Sequence, residues 1–308
     1  MATVLITGGT GTIGRRLAIR LQEQGHLVNL LSRSTNGESS TKINGQFFLW
    51  DIHQQTIEQE AISSADFIIH LAGAGVADKR WSKKRKQEIV ESRIMGSQLI
   101  INALTKTPNK VQAVLSASAI GWYGPDNINQ QTAFSETDDA AKDFLGETCY
   151  LWEQSITPAL ALNKRLVILR TGIVLSNEGG AFVEFKKSLK FKIAAILGNG
   201  KQMISWIHID DLCNQYIHAI NNSSMQGVYN AVAPNPVTNK ELTITLAKKL
   251  ASSFFIPLYI PAFMLKIILG EMSIEVLKST NVSAVKMINT GYLFSYPTIN
   301  DAIDELSQ

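Results

Sequence analysis

A chain of 308 residues with 45% hydrophobic and 18% charged side chains can bury a large core, which excludes an intrinsically disordered protein. The net charge of +3 is too small to argue for nucleic acid or an anionic membrane as partner. The two cysteines, Cys149 and Cys213, sit in apolar helix-like contexts without metal-ligand spacing, so buried thiols in a reducing compartment are expected and no metal site is.

Taken in chain order, Ala2-Thr3-Val4-Leu5-Ile6 runs straight into a glycine turn with no basic leader, so no signal peptide is expected. Short apolar runs at 3–7, 27–31, 47–50, 67–71, 111–116 and 166–170 read as strands, and 13–24, 83–105 and 136–162 as helices. Near-continuous apolar strands alternating with helices predict an α/β fold, a doubly wound parallel Rossmann sheet covered on both faces. After Leu175 the rhythm becomes irregular, with Gly179-Gly180, Gly198-Asn199-Gly200 and prolines at 234, 236, 257 and 261. This predicts a Rossmann domain over 1–175 and a smaller α+β substrate lobe over 176–308, with strands near 206–209 and 228–232 able to rejoin the sheet. The apolar stretch 254–269 is broken by Pro257 and Pro261 and carries Lys266, which is too interrupted for a membrane span of about 20 residues. A cytoplasmic protein without membrane insertion is expected.

Thr7-Gly8-Gly9-Thr10-Gly11-Thr12-Ile13-Gly14 lies between the first strand and the first helix, where a dinucleotide pyrophosphate is held. Gly8 permits the tight turn, Gly11 lets backbone approach the phosphates, and Gly14 lets helix and strand pack. The helix N-terminus supplies amides and the positive end of its dipole. A cofactor with a free 2′-hydroxyl wants an acid at the end of the second strand, but the chain reads Leu30-Leu31-Ser32-Arg33-Ser34 and its first acid, Glu38, comes too late. Arg33 can pair with a 2′-phosphate and Ser32 can donate to it, so NADP (NADPH) is expected over NAD.

With these motifs the chain resembles the extended short-chain dehydrogenases/reductases, whose glycine pattern is TGxxGxxG. Leu71-Ala72-Gly73-Ala74-Gly75, Lys79-Arg80-Trp81-Ser82, Glu91-Ser92-Arg93, Arg170-Thr171-Gly172-Ile173-Val174-Leu175 and Trp206-Ile207-His208-Ile209-Asp210-Asp211 are similar to the atypical epimerase family proteins, YfcH-like among bacteria. Gly270-Glu271-Met272 and Gly291-Tyr292-Leu293-Phe294-Ser295-Tyr296-Pro297 resemble that family's small C-terminal domain, here about 254–305. The resemblance spans essentially the whole chain. It implies further cofactor contacts: Asp51 accepting from the adenine amino group, Leu71, Ala72 and Gly73 along the cofactor, Glu88 and Arg93 from the next long helix, and Val174. From the residues alone, Asp51 could equally cap a helix and Arg93 could be a surface charge.

The family resemblance also implies a catalytic Ser and Tyr-x-x-x-Lys. Ser118 in Ser116-Ala117-Ser118 matches the serine, but Leu145 and Cys149 fall where tyrosine and lysine belong. Tyr150 is followed four residues on by Gln154, so it lacks the charge that would lower its pKa. The candidate catalytic groups are Ser118 and Tyr123; His208 precedes Asp210-Asp211, which are expected to cap a helix, so a structural role is expected for it. The expected activity is an NADP-dependent oxidoreductase or epimerase-like reaction on a small polar substrate, and the rival is an NADPH-binding regulator without turnover. Six basic residues within 79–86 read as a solvated face near the site mouth, since only Trp81 interleaves with them as a nucleic-acid patch would need.

Overall fold

The computed structural model describes residues 1–34, 45–126, 132–250 and 254–307; Glu38 lies outside them. In the first half, strands β1 (Thr3–Thr7), β2 (Leu27–Ser32), β3 (Phe47–Asp51), β4 (Thr56–Ile57), β5 (Phe67–His70), β6 (Ala113–Ala119) and β7 (Arg165–Thr171) are joined by helices α1 (Thr12–Glu23), α2 (Gln59–Ser64), α3 (Lys83–Lys106) and α4 (Phe144–Ile156). The second half adds β8 (Ile173–Leu175), α5 (Ala181–Leu189), β9 (Ile193–Leu197), β10 (Met203–Ile204), β11 (Trp206–His208), α6 (Ile209–Asn221), β12 (Gly227–Ala231), β13 (Val237–Thr238) and α7 (Asn239–Leu250). The chain closes with β14 (Ile256–Ile260), α8 (Ala262–Leu269), α9 (Ser273–Leu277), α10 (Val285–Ile288) and α11 (Ile299–Leu306).

The main sheet runs β12-β7-β6-β5-β1-β2-β3-β4, parallel throughout except for the β3–β4 pair. Winding reverses between β1 and β5, and a ligand crevice forms outside the strand ends at such a switch point. Alternation along β1 explains the two covered faces. Val4 and Ile6 pack with Leu17, Leu21, Leu212 and Tyr216 on one side, and Leu5 packs with Ile100, Leu104 and Ile156 on the other. A separate core built on Phe182, Trp206, Leu242, Leu246 and Ile303 supports the second lobe.

The strand read near 228–232 is β12 and lies on β7, whereas the one read near 206–209 is β11 and pairs with β8 outside the large sheet. The helix expected over 136–162 is shorter, since α4 covers only Phe144–Ile156. Asp143 caps α4 by accepting from the Gly146 amide at 2.8 Å, and Asp138 ties Ser135 into a turn upstream. Beyond Ile156, Pro158 cannot supply an α-helical N–H, and 157–162 tightens into a 3-10 turn.

Candidate functional site

The phosphate turn is built from close backbone contacts. Gly8 has φ +70°, and a Cβ there would stand 3.0 Å from the Ala72 nitrogen. A Cβ on Gly14 would lie 2.3 Å from the Gly8 carbonyl oxygen, so helix and turn can meet only at glycine. Gly11 is exposed, with nothing but the Gly8 oxygen, at 3.3 Å, in reach of an added Cβ. Thr7 fastens β1 to the end of β5: its Oγ1 accepts from the Leu71 and Ala72 amides at 3.1 and 3.0 Å and sits 2.8 Å from His70 Nδ1. Burial pushes the His70 imidazole down to about 3, with Arg93 adding to the shift, so it is a neutral clamp.

Outside these strand ends lies a cleft of about 940 Å³. Gly8, Thr10 and Gly11 line it at the turn; 71–75 line it along β5, and Arg85 and Glu88 come from α3. Where β2 ends, Ser32 and Arg33 line it together with Arg15, from the first turn of α1. Arg15 escaped the sequence reading, although a basic residue directly after the third glycine was a usable signal. Among the described residues, the acids lining the cleft are Asp78, Glu88 and Glu91, all on the side of α3, and none lines it at the β2 corner.

Other expected contacts have local employment. Ser32 Oγ donates to the Ser34 carbonyl at 2.7 Å. Asp51 Oδ1 accepts from the His53 and Gln54 amides at 2.8 and 3.0 Å, and the Gln54 and then the His53 amide hold its carboxyl below the usual range. The cleft is lined there by Trp50, Ile52 and His53 instead of Asp51. Glu88 pairs with the buried Arg85 at 2.7 Å, and Arg85 Nη2 donates to the Gly75 carbonyl at 2.5 Å, which anchors the 73–78 segment to α3. Arg93 lies behind Gly73, donating to the Ala74 and Ile89 carbonyls at 3.0 and 2.8 Å. Thr12 and Ile13 open α1, and Ile13 and Val174 each pack against the central core. Thr12, Ile13, Gly14, Arg93 and Val174, and the buried Ser118 and Tyr123, are not among the residues lining the cleft.

At the end of β6, Ser118 belongs to a buried network. Its Oγ donates to Glu153 Oε1 at 2.7 Å, and Glu153 accepts from Arg170 Nε and Nη2 at 2.9 and 3.0 Å. Arg170 Nη1 donates to the Tyr123 hydroxyl at 3.0 Å, which donates to Asn230 Oδ1 at 2.6 Å. The guanidinium carbon lies 3.6 Å from the centroid of the Trp122 ring. Ser118 has one proton and Glu153 receives it, so toward a ligand its oxygen can only accept. Burial pushes the Tyr123 phenol up to about 12, even though Arg170 opposes the shift. Leu145 and Cys149 both abut Gly121, and the Cys149 thiol lies beside Ser118. Burial pushes that thiol up to about 11 against the attraction of Arg93. The positions that carry tyrosine and lysine in the resembling family therefore hold an alkyl group and a neutral thiol, and a cation reaches them from α3. Tyr150 is half-exposed, beside the Trp122 ring.

His208 caps α6, accepting from the Asp210 amide at 3.1 Å and pairing with Glu305 at 2.8 Å. Asp210 and Asp211 are not the cap: Asp210 binds Arg16 at 2.5 and 2.7 Å, and Asp211 accepts from Tyr292, Ser295 and Tyr296. Among the described residues no cluster of three or more His, Cys, Asp or Glu could hold a metal ion, and no helix is long and apolar enough to cross a membrane.

Residues 4–148 match the NAD dependent epimerase/dehydratase family, and residues 260–306 match a domain of unknown function, DUF1731. The first match ends inside α4, although β7 and β12 complete the same sheet. Epimerase family protein SSP1921 of Staphylococcus saprophyticus is 36% identical, with 99% of each chain covered. The chloroplastic epimerase family protein SDR39U1 homolog of Arabidopsis thaliana is 33% identical, covering 99% of this chain and 87% of its own. The crystal structure of human epimerase family protein SDR39U1 (isoform2) with NADPH matches at TM-score 0.86 and 28% identity, with 99% of each chain covered. With this fold, these two matched segments and relatives aligned end to end, the chain belongs to the epimerase family proteins of the extended short-chain dehydrogenase/reductase type.

Proposed function

We propose that the chain binds NADPH in this cleft and serves an oxidoreductase or epimerase-like reaction on a small polar substrate, with Ser118 at the reacting end. One observation carries the cofactor choice: Arg15 and Arg33 line the cleft where β2 ends, and among the described residues no acid lines it there. An acid at that corner would select a ribose 2′-hydroxyl, whereas guanidinium groups select a 2′-phosphate. The NADPH in the human SDR39U1 structure supports the same choice. The chain's groups fit such a cofactor, because Gly11 leaves open space beside the first amides of α1. The YfcH-like assignment within the family, resting on the 71–75, 79–82, 91–93, 170–175 and 206–211 motifs, is part of the proposal.

When bound, the nicotinamide supplies or takes a hydride. Ser118 Oγ, its proton held by Glu153, accepts a hydrogen bond from a substrate hydroxyl and orients it. Arg93 brings positive charge to the Ser118–Cys149 corner, where the family's lysine is missing. Tyr123, with its phenol at about 12 and its proton on Asn230, is unsuited to proton transfer near neutral pH, so solvent carries the proton. A regulator that binds NADPH without turnover is the second reading, favoured by Leu145 and Cys149 in the proton-relay positions. Screening carbonyl compounds and nucleotide sugars for NADPH consumption separates the two. Turnover that falls at least about a hundredfold in Ser118→Ala, and stays unchanged in Tyr150→Phe, is the expected result. Turnover untouched by Ser118→Ala would remove Ser118 from the site, and a blank panel with tight NADPH binding would favour the regulator.

A further inference from the structure

The apolar run 254–269 does not enter the core. In α8, Phe263, Ile267 and Ile268 are 64, 70 and 63% exposed, Met264 is exposed beside them, and Leu265 is the one buried residue. Positions 263 and 267, and 264 and 268, are one turn apart, so these four side chains form one outward stripe. Directly before α8 in the chain, β14 exposes Ile256 and Leu258 on one face and Tyr259 on the other, and Phe191 is exposed next to the Lys192 carbonyl that receives the Ile256 amide. An exposed apolar cluster of this kind marks an interaction surface.

Charge and strand chemistry decide what covers it. At the β9 end stand the exposed Lys190 and Lys192; at the far end the α8 terminus, Gly270, abuts Arg80, with exposed Lys79 and Lys83 in the same basic segment. Lys266 stands on α8 itself. Nearby Glu271 and Glu275 are each paired with a lysine. Because both ends of the face are basic, two copies stacked face to face would set like charges together. Strand addition is also blunted. Ile256 donates inward to Lys192 at 2.9 Å, so the next nitrogen, facing out, is that of Pro257, which has no proton. We propose that this face lies on an anionic lipid bilayer, with the α8 stripe in the headgroup–acyl boundary and the lysines at headgroup level. The charge that matters is gathered at the two ends of this face, so the net charge of +3 conceals it. Docked this way, the chain lies on the membrane and does not cross it.

Flotation of the full chain with vesicles tests the inference. Vesicles of phosphatidylcholine and phosphatidylglycerol in equal parts should carry the protein upward, phosphatidylcholine alone should carry far less, and added salt should weaken the binding. The double variant Phe263→Ser with Ile267→Ser should bind the anionic vesicles at least about tenfold more weakly. Its unchanged circular dichroism and melting would show that the fold persists. Lys190→Glu with Lys192→Glu should lose the preference for anionic over neutral vesicles. Wild-type protein that stays unbound, or a Phe263/Ile267 variant that floats as well as wild type, would overturn the proposal. So would a concentration-dependent dimer that the same double variant abolishes, since the face would then belong to a second copy.

Discussion

At the residue scale, Gly11 and Gly14 look alike in the motif and differ in their surroundings. Gly14→Ala places a methyl group against the Gly8 carbonyl and should lower stability by about 3 kcal/mol, read as a denaturant midpoint shift. Gly11→Val faces the cleft and should leave the fold intact while blocking dinucleotide binding; normal binding in a folded variant would mean the phosphate turn is misplaced. His70 gives a pH signature. Its folded pKa, about 3, lies below the unfolded value of 6.5, so the unfolded chain takes up the proton first and stability falls as pH drops below 6.5. By pH 5 the loss is about 2 kcal/mol. His70→Gln should flatten the melting temperature against pH in this window, and an unchanged slope would contradict the buried neutral imidazole. That Gly8, Gly11 and Arg33 would line one cleft was legible, because the glycine turn and the end of β2 are adjacent in a sheet of this order. Arg15 was not singled out, since its role depends on which way the first turn of α1 faces.

At the scale of elements, β6, α4 and β7 meet through Ser118, Glu153 and Arg170, and the 3-10 turn after β6 adds Tyr123. Removing one partner of a buried ion pair strands the other charge. Arg170→Met should therefore cost about 3–5 kcal/mol. Adding Glu153→Gln should recover a substantial part, because no uncompensated carboxylate then remains. Urea titrations of the single and double variants measure this coupling, and strictly additive losses would contradict a shared network. The strands were readable from their apolar runs. The start of α4 was not, because Glu136, Ala140, Ala141 and Lys142 are good helix formers, while Asp138 and Asp143 bend the backbone into a turn and a cap. The role of Glu153 was also hidden, since it depends on pairing across 17 residues and two elements.

On the scale of the whole molecule, the second lobe is tied to the first by its tail. Buried Asp211, on α6, accepts from Tyr292, Ser295 and Tyr296 at 2.8–2.9 Å, and Glu305 reaches back to His208. Sequence patterning indicated two lobes and strands able to return to the main sheet; β12 does so, whereas β11 pairs with β8 outside it. The cofactor cleft lies wholly on the first-lobe side, between the β2 corner and α3, so its preference is set by few residues. Titrating the full chain with NADPH and NADH by calorimetry tests the central claim most directly. NADPH should bind at least about tenfold more tightly, about 1.4 kcal/mol, and Arg33→Asp should erase the difference by setting a like charge against the 2′-phosphate. Equal affinity for the two dinucleotides, or a preference for NADH in the wild-type chain, would contradict the account.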